Sequence, residues 1–494
     1  MQKESQRRCV HDEVQRKKRR NLVRVIAGAA ILLSLDPSAR AQKDTASIVG
    51  TVRDPSGAVV TGAQVTATDV NRGTAFPTST DGSGNYVAGP LKIGRYTVNV
   101  SKKDFETSVI GPFDLQVGQR REVNVKMKIG AAVTNVQVSA VPSLETQTSD
   151  LGQVVDNHAI NNLPLNGRNF SQLALLSAGI APAEPGASNE GTSGFSANGA
   201  RSYQNNYQLD GVDNNSNITD LQTGASYVIQ PSVDAVEEFK VETNGYSAEF
   251  GRGNGAVLNA TIKSGTNEFH GSLYEFLRND KLDARNYFAL KRGANQRNQF
   301  GATLGGPILI PHFYDGRKRS FFFVDYEGLR IRQALPLQGL VPTREMRSGD
   351  FSSLIDYTSP TGTDCNGRIT YQGELFNTRL SQIDPSTPTG LCGVPFGYDG
   401  AGTPVNIIPN SLFDPLATSL LKLWPLPNLT GNGGNGKSNF LTDPRLRQSQ
   451  NNFDVRVDHT FSEKDSAFAR YSYQVQPSMH PAIFQATGGG GNET

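Results

Sequence analysis

The chain has 494 residues, with 48 Lys and Arg against 46 Asp and Glu, a formal charge of +2. Apolar residues at 36% and charged residues at 19% exclude a disordered chain and a coiled coil. No apolar run reaches the roughly 18 residues of a membrane-spanning helix, and the near-zero charge argues against a nucleic-acid binder.

At about 150 residues per domain the length allows roughly three domains. High Gly, Asn, Ser and Thr, together with 24 Phe and 15 Tyr, point to strands, turns and long loops. The basic charge is concentrated at the start. Arg16–Arg20 precedes a mostly apolar Val23–Leu35, and Ala39-Arg40-Ala41 forms a small-x-small site before Gln42. These three parts, in that order, predict a secretory signal peptide over residues 1–41, with Ala39, Ala41 and Gln42 at the cleavage site. A nucleic-acid arm or a short buried helix is the alternative. Export changes how the cysteines read. Cys9 leaves with the signal, and Cys365 and Cys392 are expected to form a disulfide outside the cytoplasm, two free thiols being the alternative.

Residues 42–131 predict a small β-sandwich. Ser47–Val52 runs into the turn Asp54-Pro55-Ser56-Gly57, and Ala63–Thr68, Arg95–Val100 and Glu122–Met127 alternate apolar and polar. Short strands at turn-sized spacing are the mark of an all-β sandwich. The segments GTVRDPSGAVVTGAQVTA and TDGSGNYVAGPLKIGRYTVNV resemble the carboxypeptidase regulatory-like domain. That resemblance implies an immunoglobulin-like accessory fold, classed with carbohydrate-binding-like sandwiches and without catalysis.

Ala132–Ala140 is an alternating, β-prone stretch within a linker placed at 132–142. Its edge could accept a partner strand by main-chain hydrogen bonds; an ordinary linker or a last sandwich strand fits equally. From residue 143 the texture changes. Asn169 before a short apolar run and Gly179 after it predict a capped helix of two turns. Gly251-Arg252-Gly253-Asn254-Gly255-Ala256 fits a dinucleotide fingerprint, but a strand-like Ala256–Ile262 follows where a helix is required. The oxygen-rich Leu209–Asn215 lacks calcium-loop spacing and is expected to be a turn that anchors its domain.

The stretch VDAVEEFKVETNGYSAEFGRGNGAVLNATIK resembles the plug of TonB-dependent outer-membrane receptors. The matching positions include Tyr246, Phe250, Gly251, Gly255, Asn259, Thr261 and Lys263, with Asn254-Gly255 where a glycine pair is usual. LPLNGRNF and YQLDGVDNN resemble the Oar-like subgroup, which carries a regulatory-like sandwich before its plug. The resemblance implies a plug over 143–267, contact with the energy-transducing protein TonB through Val133, Thr134, Asn135, Val136, Gln137 and Val138, and an unidentified nutrient ligand, carbohydrate or peptide among the options. It also implies an outer-membrane location with the sandwich on the periplasmic side and outer-membrane lipid as surroundings.

Residues 268–494 predict the first strands of a transmembrane antiparallel barrel. Phe453, Val455, Val457, His459 and Phe461 share one face, and Asp454, Arg456, Asp458 and Thr460 the other, as lipid outside and a lumen inside require. Ala467–Val475 repeats the pattern with Phe468, Arg470, Ser472 and Gln474 inward. Ser320–Gly328 is a third strand, blurred by Phe321 and Phe323; Phe269–Arg278 and Asn298–Ile308 are earlier ones. The links, Asn279–Arg297, Leu309–Lys318, Arg332–Gln450 and Ser462–Asp465, alternate long and short, as outer-membrane barrels do. The long one carries both cysteines. Its MRSGDFSSL and SLFDPLATSLLKLWPLPN resemble the subgroup's first large loop.

Five strands do not close a plugged barrel, for which about 22 are used, so an N-terminal fragment of a larger receptor is expected. The fold expected is thus mainly β: a sandwich, an α+β plug and an incomplete barrel. No catalytic, cofactor or metal motif is found among the six His or elsewhere, so no enzyme is expected. The rival reading from another class is a cell-surface carbohydrate-binding or adhesion protein built on the sandwich and loops.

Overall fold

The computed structural model describes residues 45–493 except 131–132, 137–149, 166, 183–193, 217–226, 286, 288–291, 381, 384–390, 430–437, 464 and 485–491. Ala39, Ala41 and Gln42, the expected cleavage site, lie outside the described residues.

Nine strands form the first unit: β1 (Thr45–Arg53), β2 (Gln64–Asp69), β3 (Ala75–Ser79), β4 (Asn85–Lys92), β5 (Gly94–Ser101), β6 (Thr107–Leu115), β7 (Arg120–Glu122), β8 (Val125–Lys126) and β9 (Val133–Val136). One sheet runs β4-β1-β7 with β8 also on β1, the other β3-β2-β5-β6-β9. Alternation decides which side chains meet between them. Ile48, Val52, Val65, Tyr96, Val98 and Val100 point inward and are buried, as period-two patterning requires. The turn after β1 closes because the Asp54 carboxylate accepts hydrogen bonds from the Ser56 and Ala58 amides at 2.9 Å each, while Gly57 takes φ +91°. Glu122–Met127, expected as one strand, is two short ones.

The last strand corrects the boundary drawn at residue 131. β9 lies parallel to β6, Thr107 to Ile110 opposite Val133 to Val136, so the sandwich sheet continues into the predicted linker. Gln137 and Val138 fall outside the described residues.

The second unit is built on a five-stranded sheet, β10-β15-β16-β13-β14. Its strands are β10 (Leu151–Asp156), β13 (Asn206–Leu209), β14 (Val212–Asp213), β15 (Val236–Asn244) and β16 (Val257–Ile262), with the small pair β11 (Ile180–Pro182) and β12 (Phe195–Ala197) beside it. Tyr207, Phe195, Phe239, Leu258 and Ile262 fill its core. The helix expected after Asn169 is present over Phe170–Leu176, but as a 3₁₀ helix. Asn169 caps it, accepting from the Ser171 amide at 3.1 Å. Three residues per turn put Phe170 and Leu173 on one side, where both are buried. A six-residue helix at Asn157–Asn162, capped by Asp156, has too short an apolar pattern to stand out in the sequence.

The third unit is an antiparallel wall, β17 (His270–Asn279), β18 (Asn295–Pro307), β21 (Ser320–Ala334), β30 (Arg445–Thr460) and β31 (Ser466–Val475), open at both sides among the described residues. Between β18 and β21 lies a short hairpin, β19 (Leu309–Ile310) and β20 (Tyr314–Asp315). Between β21 and β30 the chain makes a long excursion through β22 (Leu337–Gly339), β23 (Asp356–Thr363), β24 (Ile369–Gln372), β25 (Gln382–Ile383), β26 (Leu391–Cys392), β27 (Gly397–Tyr398), β28 (Pro404–Val405) and β29 (Phe440–Thr442). A short β32 (Ser478–His480) continues from β31 against β30.

Candidate functional site: the second unit against the strand wall

The second unit sits on one face of the wall, and the contacts follow the alternation of the strands. Asp210 lies at the tight turn between β13 and β14, where Asp210 and Gly211 take φ +52° and +72°, the left-handed pair that a two-residue Asp-Gly hairpin needs. That turn puts the carboxylate into the interface. It accepts from the Ile262 amide at 2.9 Å, from Arg456 Nη1 at 2.8 Å, and pairs with Arg470 Nε at 2.9 Å. Arg456 also donates to Asp458 Oδ2 at 3.1 Å and to the Ile262 carbonyl at 3.0 Å. Asp210, Arg456 and Asp458 are all buried.

The remaining contacts are polar as well. Ser232 donates to Asp325 at 3.0 Å, Asn452 to the Gln230 carbonyl at 3.2 Å, and Arg297 to the Gly167 carbonyl at 2.8 Å. The Gln230 amide donates to the Gln474 side chain at 2.9 Å. Phe323 is the apolar exception. It inserts into the core of the second unit, which explains why Phe321 and Phe323 blur the alternation of β21: both are buried on the inner face.

The opposite face of the same strands is apolar and exposed. Leu273 and Leu277 on β17, Leu304 on β18, Tyr326 on β21, Val455 and Val457 on β30, and Tyr471, Tyr473 and Val475 on β31 all show there.

The sandwich meets the other two units at the end of the wall carrying the short turns. Lys92 on β4 donates to Asp458 at 2.5 Å, Arg72 donates to Ser264 at 2.7 Å, and Asn267 donates to the Arg72 carbonyl at 2.7 Å. Burial holds the Lys92 ammonium below its ordinary range. Glu238 on β15 accepts from the Val117 amide of the sandwich, and burial pushes its carboxyl up to about 8.

The plug-like motif residues are spread over this second unit. Asn259 accepts from the Gly211 amide at 3.3 Å, so it supports the Asp210 turn. The Lys263 amide donates to Ala235 at 2.8 Å, and Tyr246 donates to the Gly253 carbonyl at 3.3 Å. Thr261 is buried. Phe250 and Gly251 lie in the loop before β16. The glycines of the fingerprint-like run serve packing. A Cβ on Gly253 would meet the Gln204 carbonyl oxygen at 2.0 Å, and one on Gly255 the Asn205 side-chain oxygen at 2.1 Å. A strand follows, as the sequence implied.

Cys365 and Cys392 are bonded to each other and tie the long excursion at the far end of the wall. Among the described residues no group of three or more His, Cys, Asp and Glu could hold a metal ion.

Residues 261–494 match the family described as outer membrane beta barrel domain, and residues 47–128 match the carboxypeptidase regulatory-like domain. The chain is 31% identical over 407 residues to the TonB-dependent transporter Oar of Myxococcus xanthus, covering 76% of this chain and 36% of that protein. It therefore spans about a third of the length of that curated relative. Among solved structures it is similar to the outer membrane transporter YddB from Escherichia coli (11% identity, TM-score 0.36, 67% of this chain and 34% of that one). It is also similar to the siderophore receptor PirA from Acinetobacter baumannii (12% identity, TM-score 0.33, 72% and 45%). The relatives so named are transporters or receptors.

The chain thus joins a carboxypeptidase regulatory-like domain, a sheet domain seated on a strand wall, and an outer membrane beta barrel domain whose outer face is apolar.

Proposed function

We propose that this chain forms the gated entrance of a TonB-dependent uptake receptor, with residues 143–267 as the plug, the five long strands as part of the surrounding barrel, and the sandwich on the periplasmic side. The observation that carries the reading is the division of one set of strands. Their inner side chains are charged and hold the second unit through Asp210, while their outer ones are apolar. A pore wide enough for a nutrient must be blocked at rest. A blocking unit held by ion pairs can leave at modest net cost, because the charges regain water.

The energy has to be delivered from the periplasmic side, and Val133–Val138 is the contact we assign to TonB. Val133–Val136 forms the last strand of its sheet, so a partner strand can add to its outer edge through main-chain hydrogen bonds. Ligand would be met by the plug's outer loops and by the excursion over 335–444. The ligand class is a small nutrient, carbohydrate or peptide among the options.

Deleting Val133–Val138 in the receptor expressed in cells tests the assignment. Uptake of the nutrient whose entry depends on this gene should cease while surface binding of that nutrient persists. Unchanged uptake would discard it.

A further inference from the structure

The sandwich reaches into the ion network that seats the second unit on the wall. Lys92, the last residue of β4, lies over Asp458 and donates to it at 2.5 Å. The Asp458 side chain is 1% exposed. Arg456 holds it from the other side, Nε donating to Oδ2 at 3.1 Å and Nη2 to Oδ1 at 3.2 Å. The third nitrogen of the same guanidinium, Nη1, turns to the second unit and donates to Asp210 at 2.8 Å and to the Ile262 carbonyl at 3.0 Å. One guanidinium thus serves two buried carboxylates, one on the wall and one on the second unit. The sandwich supplies a second cation to the first of them.

This sharing sets the direction of the coupling. With Lys92 in place, Asp458 divides its attraction between two cations, and Arg456 is left for Asp210. Arg72, the other sandwich cation nearby, is taken up by Asp69 at 2.7 Å. Without Lys92, Asp458 has Arg456 as its only ion-pair partner among the described residues. A buried carboxylate deprived of one partner draws the remaining one toward itself. Asp210 then keeps Arg470 at 2.9 Å and holds Arg456 less firmly.

The rest of the junction is built to part. Arg72 donates to Ser264 at 2.7 Å, the Asn267 side chain to the Arg72 carbonyl at 2.7 Å, and the Val117 amide to Glu238. A cavity of about 10 Å³ between the three units is lined by Arg72 and Lys92, by Glu237 and Thr261, and by Arg456. Groups of this kind regain water when their surfaces separate. The path of the chain also directs a load here. Val133–Val136 is bonded into the sandwich sheet beside β6, so a pull on the segment assigned to TonB falls on the sandwich.

We propose that the sandwich is the latch of the second unit: Lys92, seated on Asp458, keeps Arg456 available to Asp210, and the sandwich comes away before the second unit does. Lys92 is a positioning residue, acting through Asp458 and Arg456. The order of release rests on reading residues 143–267 as a plug; the coupling between Lys92 and Asp210 does not.

Hydrogen exchange of the whole chain in detergent micelles, read by mass spectrometry, tests the latch, because separate amides report the two contacts. The Ile262 amide donates to Asp210 and the Val117 amide to Glu238. Lys92→Gln should speed exchange at Ile262 by about tenfold, within the usual range for coupled sites, with the β5–β6 ladder unchanged. Lys92→Arg, which keeps the cation, should stay near the wild-type rate. In an Asp458→Asn background, Lys92→Gln should alter the Ile262 rate by less than about twofold, because the path runs through that carboxylate. Faster exchange at Val117 with an unchanged rate at Ile262 would overturn the latch, since the sandwich would then dock without reaching the anchor. An equal effect of Lys92→Gln with and without the Asp458 carboxylate would overturn it too. If Asp458→Asn fails to fold, Gln against Arg at position 92 decides: equal rates at Ile262 count against the latch. Failure of the wild type to enter vesicles would instead remove the plug reading and the order of release, and leave the exchange coupling standing.

Discussion

The sandwich, mixed in strand direction, and the strand wall, antiparallel throughout, both alternate, yet they distribute polarity in opposite ways. In β5 the buried side chains are Tyr96, Val98 and Val100, and the exposed ones are Arg95 and Asn99. In β30 over 454–458 the buried side chains are Asp454, Arg456 and Asp458, while Val455 and Val457 remain 37% and 39% exposed. The first pattern is that of a sheet pair folded in water. The second is stable only if the exposed side meets hydrocarbon and the buried ions meet each other. The same backbone geometry thus serves two solvents, and the solvent is written in which face is charged.

That contrast can be broken most severely at Arg456. Among the described residues, Arg456→Ala leaves Asp210 with Arg470 as its only cation and Asp458 with Lys92 as its only one, and is expected to cost about 3 kcal/mol, the low end for removal of one member of a buried ion network. Denaturant titration of the detergent-solubilised chain measures it. A loss within 1 kcal/mol would mean that the plug is not held there. On the outer face, Val455→Arg should destabilise the membrane-inserted state by up to about 4 kcal/mol while leaving the sandwich untouched, read by insertion into vesicles of graded urea content.

A smaller and more local effect is expected away from both. Cys365→Ser removes the tie across the excursion and should weaken that region by about 3 kcal/mol, seen as faster hydrogen exchange over 364–398 with no change in the β17–β18 ladder.

A pH-dependent effect concerns the contact of the sandwich with the second unit. Burial raises the Glu238 carboxyl to about 8 from its ordinary 4.5, so the folded state binds this proton more tightly than the unfolded one. The contribution is full below about 4.5 and falls as pH rises toward 8. The thermal midpoint of the wild type should decline across that window, and Glu238→Gln should flatten the decline. A wild type with no slope there would contradict the buried setting.

Much of this arrangement was legible in the residues. Phe453–Phe461 displays both faces of its strand, and the lengths of the links set which end of the wall carries the long excursion. Asp210-Gly211 was legible as a turn but not as an ionic anchor, because its partner Arg456 lies 246 residues further along and no local pattern connects them. Phe323 breaks the alternation because it inserts into the core of the second unit, a long-range contact that no local pattern shows. Val133–Val136 could have been linker or strand, and only the partner β6 decides which. The helix after Asn169 was found by its cap, whereas its 3₁₀ winding depends on which side chains the core accepts.

The central claim is that β30 and β31 separate hydrocarbon from a filled interior. Single spin labels placed in turn along 453–458 and 469–474, in the vesicle-inserted chain, test it most directly by their collision rates with dissolved oxygen and with a water-soluble nickel chelate. The account predicts high oxygen contact at 453, 455, 457, 469, 471 and 473, and protection from both reagents at the positions between them. Uniform access of the nickel reagent to the outward positions would contradict it.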